Sequence, residues 1–182
     1  MNWRKTLNEH YHRLQENVVD FAEEMDCIDH VVCITGDFYD AVVAHMLRHN
    51  ISEVVDIGCA YGHQGEAFIQ AGLNYLGIES DVFSQLYKEN KGLAYIKKAY
   101  PCPLSKKYQL GCSNLCYGYF IHDYEALARD FDEVILGNIN DKEEIEKFFS
   151  IEIQTFPSID PKEPEFEVYV LKRIREEADE TV

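Results

Sequence analysis

The sequence predicts a doubly wound α/β domain: a mostly parallel sheet of about seven strands with a terminal antiparallel pair, preceded by N-terminal helices. Three observations carry this. The run Glu53-Val54-Val55-Asp56-Ile57, a glycine-bearing turn, a helical stretch and a second run, Tyr75-Leu76-Gly77-Ile78-Glu79, follow one another closely. Strand, helix and strand at that spacing form a βαβ unit, the seed of a parallel sheet. Near the end, Ile151 to Phe156 alternates strictly and Phe166 to Leu171 alternates in part, the signature of half-exposed antiparallel strands. The chain has 182 residues, 46% hydrophobic and 27% charged, a composition that builds one packed domain rather than a disordered segment.

The elements follow in order. Over residues 4 to 25, Leu7, Tyr11, Leu14, Val18, Phe21 and Met25 recur every three or four positions, one apolar stripe of an amphipathic helix that packs over the core or acts as a lid. Val31 to Ile34 reads as a short extended piece, Thr35-Gly36-Asp37 as a turn and cap, and Phe38 to Arg48 as a second helix. The β-branched strand 53–57 suits a buried parallel position. A helix is expected over 63–70, a strand over 75–79, and a helix over 81–90. Leu93 to Ile96 reads as a further strand and Ser105 to Asn114 as an excursion. Tyr117 to His122 is expected as a strand, Tyr124 to Arg129 as a short helix and Phe131 to Asn138 as a strand. Asp141 caps a helix over 141–149, and the antiparallel pair follows. Residues 1–50 thus form a helical cap, 51–175 an α/β core and 176–182 an acidic, frayed tail.

Composition narrows the function. Thirty-three acidic against seventeen basic residues give a net charge of −16. Nucleic-acid binding depends on Lys and Arg neutralising phosphates, so the expected partner is a small molecule or a protein rather than DNA or RNA. Lys97, Lys98, Lys106 and Lys107 read as a solvated loop, since no recognition motif accompanies them. No apolar run approaches the roughly 20 residues of a membrane span, and Met1-Asn2-Trp3-Arg4-Lys5 leads into polar sequence. A cytoplasmic location is expected. The cysteines Cys27, Cys33, Cys59, Cys102, Cys112 and Cys116 are then reduced and packed. Their spacing is unlike that of a zinc site, and no metal is expected.

The chemistry lies in Asp56-Ile57-Gly58-Cys59-Ala60-Tyr61-Gly62-His63. Small residues let the backbone turn tightly and approach a ligand, and open α/β sheets bind ligands outside the carboxyl ends of their strands. Glu79 closes the next strand and brings a carboxylate to the same edge, suited to two ribose hydroxyls. A dinucleotide fingerprint fails, because its third glycine would fall on His63. A phosphate-binding P-loop fails for want of a lysine after Gly62.

What remains resembles the first motif of the class I methyltransferases that use S-adenosylmethionine (SAM). That motif is written Asp/Glu-x-Gly-x-Gly-x-Gly; Asp56, Gly58 and Gly62 match it, and Ala60 replaces the middle glycine. The resemblance spans about residues 50 to 172. It implies that Asp56, Gly58, Cys59, Ala60, Tyr61 and Gly62 wrap the cofactor and that Glu79 holds its ribose. Asp123 and Tyr124, after Tyr119 to His122, resemble the adenine-contacting acid and its neighbour, and Asn138 follows the strand Phe131 to Leu136, which resembles the family's fourth.

Two features stay open. In a second register, Leu93 to Lys97 is the third strand, Leu115 to Phe120 the fourth and Asp132 to Asn138 the fifth, and Asp123 loses its adenine role. Strand count favours the second register; the local pattern around Asp123 favours the first, which is preferred. No Asp/Asn/Ser-Pro-Pro-aromatic motif of amino-methylating nucleic-acid enzymes follows Leu136. Methyl transfer from a sulfonium needs mainly alignment, so the expected activity is SAM-dependent methylation of a small molecule or a protein side chain. The alternative is a non-catalytic domain that binds SAM, its product S-adenosylhomocysteine (SAH) or a protein partner. Tyr61 and His63 face the pocket or serve the helix start; His122 reads as structural.

Overall fold

The computed structural model describes residues 3–17, 28–80, 93–114, 121–160 and 164–174. The expected helix over 81–90 and the acidic tail lie outside them. Two helices open the chain, α1 (Trp3–Asn17) and α2 (Ile28–His49). Then come β1 (Glu53–Ile57), α3 (Gly65–Gln70), β2 (Asn74–Glu79), β3 (Ala94–Lys97) and β4 (Tyr108–Ser113). The chain continues with α4 (Tyr124–Asp130), β5 (Phe131–Leu136), α5 (Lys142–Ile145), β6 (Phe149–Pro157) and β7 (Glu165–Arg173).

The seven strands form one sheet in the order β3-β2-β1-β4-β5-β7-β6. The first five run parallel, and β7 pairs antiparallel with both β5 and β6. The order reverses between β1 and β4, so the loops after these strands flank the crevice where doubly wound sheets bind ligands. Each sheet face is covered. Phe38, Val42, Met46 and Phe68 pack with Val54, Leu110 and Val170 on one face; Leu127, Phe131, Ile145 and Phe149 pack with Val55, Ile57 and Val134 on the other.

The strands β1, β2, β3 and β5 and the terminal pair form as expected. Four expectations are corrected. Residues 28–49 form one continuous helix, so neither the extended piece at 31–34 nor the turn at 35–37 exists. Gly36 serves the helix pairing instead: a Cβ there would lie 2.3 Å from the Arg4 guanidinium carbon. Asp37 is a buried acceptor for other elements rather than a cap.

The fourth strand in sequence is Tyr108–Ser113, inside the supposed excursion. It pairs with β1 and β5, the place that both registers gave to residues after 114. Residues 115–120 lie outside the described part, and Ile121 forms only an isolated bridge. The second register is right about β3 and β5 and wrong about the strand between them. Tyr-Gln-Leu-Gly-Cys-Ser contains no β-branched residue, so its strand signal is faint. Its glycine has a packing reason: a Cβ on Gly111 would lie 3.0 Å from the Phe131 ring. Finally, α5 is a single turn capped by Asp141, whose carboxylate accepts from the Glu144 amide at 3.0 Å; Phe149 already belongs to β6.

Candidate functional site

The segment after β1 owes its shape to three left-handed residues at alternate positions: Gly58 at φ 71°, Ala60 at φ 47° and Gly62 at φ 68°. Only small side chains tolerate this region well, which is the physical content of the x-Gly-x-Ala-x-Gly spacing. The loop is bound to β2 at its root, where the amides of Gly58 and Cys59 donate to the Ile78 carbonyl at 2.9 and 3.2 Å. It closes on itself through the Gly62 amide to Cys59 O at 2.9 Å. The helix that follows has only six residues, so this edge of the sheet is built mainly by the loop itself.

Glu79 stands beside it as expected. One carboxylate oxygen accepts from the Ala60 amide at 2.9 Å, and the other accepts from the Ser80 amide at 2.7 Å and its hydroxyl at 3.1 Å. A carboxylate offers about four acceptor positions, so Glu79 fixes the loop and retains capacity for a hydroxyl.

Asp56 is corrected from a ligand-facing residue to a brace. Its side chain is fully buried, at 0% exposure. Tyr39 donates to Oδ1 at 2.9 Å; Tyr75 and the Gln64 amide each donate to Oδ2 at 2.7 Å. The Cys112 thiol points at Oδ1 from 3.7 Å. Gln64 also donates to Cys59 O at 2.8 Å, so Asp56 shapes the loop through Gln64. Burial pushes its carboxyl up to about 6, against the opposing hydrogen bonds from Tyr75, Gln64, Tyr39 and Cys112. The thiols of Cys59 and Cys112 are raised by burial and then by the Asp56 charge, so they stay protonated.

Helix α1 lies over the loop. The His10 ring sits 4.4 Å from that of Tyr61 and 5.3 Å from that of His63, and Tyr11 meets Tyr61 edge-on at 6.4 Å. Tyr61 and His63 are buried and His10 is half-buried. Burial, then Tyr61, pushes the Tyr11 phenol up to about 12.

The remaining expected residues divide. Asp123 caps α4, accepting from the Ala126 amide at 2.9 Å. The strand meant to carry it to the adenine edge is absent from the described residues, and β3 ends instead in Lys97. Tyr124 is 1% exposed, in the core beneath α4. Asn138 lies past the end of β5 and donates to Asn140 at 3.1 Å, separated from β1 by β4.

Sequence reasoning missed Tyr39, Tyr75 and Gln64, the partners of Asp56, and Ser113 and Asn114 at the end of β4. The Ser113 hydroxyl donates to Ile57 O at 2.9 Å and the Asn114 amide to the Thr35 hydroxyl at 3.3 Å. The strand beside β1 ends there, so an acceptor motif sought after Leu136 was sought one strand too far along. The close packing of these strand ends gave one signal, Gly137: a Cβ there would lie 2.5 Å from Asn114 O.

Among the described residues no cluster of His, Cys, Asp or Glu could hold a metal ion, and no helix is long and apolar enough to cross a membrane. Among the described residues, Cys33, Cys59, Cys102 and Cys112 form no disulfide.

No protein-family profile matches the sequence, and no curated protein does. Solved structures do. Magnesium protoporphyrin IX methyltransferase (ChlM) from Synechocystis PCC 6803, determined with bound SAM, is 15% identical with a TM-score of 0.59, over 94% of this chain and 98% of that one. The plantazolicin methyltransferase BpumL, in complex with a pentazolic desmethylPZN analog and SAH, is 13% identical with a TM-score of 0.58, over 94% and 98%. PH1948 from Pyrococcus horikoshii, assigned as an RNA methyltransferase, is 13% identical with a TM-score of 0.56, over 75% and 83%. The chain has the class I methyltransferase fold.

Proposed function

We propose that this chain is a SAM-dependent methyltransferase that acts on a small molecule or a protein side chain. The observation that carries the reading is the loop of alternating left-handed residues at the end of β1, tied by the Ala60 amide to Glu79 at the end of β2. That pairing suits a nucleoside carrying an amino-acid arm: Gly58, Cys59, Ala60, Tyr61 and Gly62 line its approach, and Glu79 accepts from the ribose hydroxyls. The structural neighbours named for SAM or SAH support the same ligand. SAM supplies an electrophilic methyl group on a sulfonium. The chain's own contribution is to orient, to exclude water and to hold the acceptor. The net charge of −16 argues for a small or protein acceptor over RNA.

The test is calorimetric titration with SAM and SAH of the wild type, Glu79→Ala and Gly62→Val. Losing a hydrogen bond to a charged group removes roughly 1.5–3 kcal/mol, about 10- to 150-fold in affinity. Gly62→Val forces a β-branched residue to φ 68° and abolishes binding. Wild type that binds neither ligand overturns the reading. Tight binding without turnover across acceptor pools moves the chain to the non-catalytic alternative.

A further inference from the structure

The sheet has two edges, and they are built differently. The β3 edge is four residues long and ends in Lys97, with Lys98 next. Short length and lysines keep an edge from pairing with another chain. The β6 edge has neither device. It runs nine residues, Phe149–Pro157, and its ladder to β7 is unbroken by any bulge. It contains no Lys or Arg, its proline is its last residue, and its one charge, Glu152, is bound by Lys172 at 2.8 Å. Ile153, in the middle of the strand, is 56% exposed.

The hydrogen-bond phase of this edge follows from the two ends of its ladder. Phe148 O accepts from the Ile174 amide at 2.9 Å, and the Ser158 amide donates to Pro164 O at 2.9 Å. Both pairs continue the β6–β7 register. In an antiparallel ladder, opposed residues alternate between bonding across the pair and pointing away from it. The even-numbered residues of β6 therefore bond to β7. The amides and carbonyls of Ile151, Ile153 and Thr155 point outward, where no other described strand pairs with them.

We propose that two copies of this chain pair antiparallel through β6, about a two-fold axis at Ile153, and join their sheets into one. Ile153 then faces Ile153 of the second copy, and Ile151 faces Thr155. Every outward amide and carbonyl of the three residues finds a partner. The side chains select the same axis. On one face Glu152 stands opposite Gln154 of the second copy, a carboxylate against an amide donor. Gln154 already donates to Glu152 Oε1 at 2.7 Å within its own strand. On the other face the β-branched Ile151, Ile153 and Thr155 pack against their opposites, beside Tyr169, which lies across from Ile153 in β7. An axis at Glu152 would oppose two carboxylates, and one at Gln154 would set Glu152 against Phe156. An axis between two residues would set outward groups against groups already spent on β7. This self-complementarity favours a second copy over a strand of a different protein. The edge is separated from β1 by β4, β5 and β7, so the inference stands apart from the SAM reading.

The test is sedimentation of the full chain from about 1 μM to about 1 mM. The wild type is expected to pass from monomer to dimer as concentration rises. Thr155→Pro removes an outward amide that β7 does not use, at an edge position where proline is tolerated. It weakens the dimer about tenfold or more and leaves the urea midpoint unchanged. Ile153→Lys opposes two cations at the axis and has at least as large an effect. Directly opposed hydrogen-bonded residues have Cα atoms about 5.5 Å apart, within disulfide reach. Oxidised Ile153→Cys therefore gives a covalent dimer, and Thr155→Cys, which faces Ile151, gives none beyond the wild type.

A wild type that stays monomeric across the range overturns the proposal. A dimer that persists in folded Thr155→Pro and Ile153→Lys also overturns it, because the pairing is then elsewhere. If both variants fail to fold, the crosslinks decide. No covalent dimer at Ile153→Cys, or one equally strong at Thr155→Cys, overturns the proposal; a crosslink confined to Ile153→Cys supports it.

Discussion

Two buried aspartates in this molecule are satisfied in opposite ways. Asp56, under the loop after β1, is surrounded among the described residues by neutral donors: Tyr39, Tyr75, Gln64 and the Cys112 thiol. Asp37, on α2, is 5% exposed and meets a guanidinium. Arg4 of α1 reaches its Oδ1 at 3.3 Å, while its Oδ2 accepts from the Ser158 hydroxyl at 2.7 Å and the Ile159 amide at 3.0 Å. Asp37 therefore ties three separate segments, α1, α2 and the link after β6, with the charge compensated. Asp56 gathers Tyr39 of α2, Tyr75 of β2, Cys112 of β4 and Gln64 at the loop's end, and leaves its own charge uncompensated. A neutral hub fixes geometry without placing a cation beside the loop proposed to hold SAM; a charged hub fastens a cover.

The largest effect comes from breaking the neutral hub. Asp56→Ala strips the acceptor from four buried donors at once. Orphaned buried groups cost about 1–3 kcal/mol each before relaxation, and removing one member of a buried polar network costs about 3–5 kcal/mol. Urea denaturation at pH 7 is expected to show a loss of about 4 kcal/mol. Tyr75→Phe, which deletes one donor and keeps the ring, costs about 1–1.5 kcal/mol. If Asp56→Ala loses less than 1 kcal/mol, the hub does not hold the loop and the contrast with Asp37 collapses.

The next effect is electrostatic. Burial lifts the Asp56 carboxyl from 3.8 to about 6 in the folded chain. Between about pH 4 and 6 the folded state holds a proton that the unfolded chain has released. Stability contributed by this group is therefore highest below the unfolded value and falls as pH rises through the window. The two-unit rise corresponds to about 3 kcal/mol. Asp56→Asn cannot titrate, so its stability relative to wild type improves by about that amount from pH 4 to pH 7. A flat difference between the two curves would mean that water or a nearby charge compensates Asp56.

The same contrast shows what the sequence could reveal. The loop was legible because its demands are local: a β-branched strand before it, a short apolar strand after its helix, and small residues where φ is positive. The Asp56 hub was not, since Tyr39 and Tyr75 lie 17 and 19 residues away in sequence and look like any packed tyrosine. Strand β4 escaped because Gly111 answers to the Phe131 ring and Cys112 and Ser113 to β1, all tertiary demands. The continuous helix α2 was misread for a similar reason. Thr35-Gly36-Asp37 has the chemistry of a turn, but Gly36 makes room for Arg4 and Asp37 binds it.

Removing the cation from the charged hub has a smaller effect. Arg4→Ala leaves Asp37 with Ser158 and the Ile159 amide, so the carboxylate is not orphaned, and Asp40 is an exposed partner. The expected loss is about 2 kcal/mol, below the range for a fully buried pair. Its more telling readout is local: amide exchange across α1 should quicken while the strands stay protected. Uniformly faster exchange would show that α1 is integral to the core rather than a fastened cover.

The smallest effect tests whether the loop's shape comes from its own residues or from the hub beneath. Ala60 holds φ 47°, a region that costs an L-residue roughly 1–2 kcal/mol. Ala60→Gly relieves that strain but gives the unfolded chain more freedom, worth about 0.4–1 kcal/mol in the other direction. The two nearly cancel, and a stability gain of about 0.5 kcal/mol is expected. The amide that donates to Glu79 is retained, so SAM affinity should change less than about threefold. The gain vanishes if the loop is already rigid in the unfolded reference. A tenfold loss of SAM affinity would instead show that the Ala60 methyl itself touches the ligand. The departure from the family's middle glycine would then be a specificity feature rather than a tolerated strain.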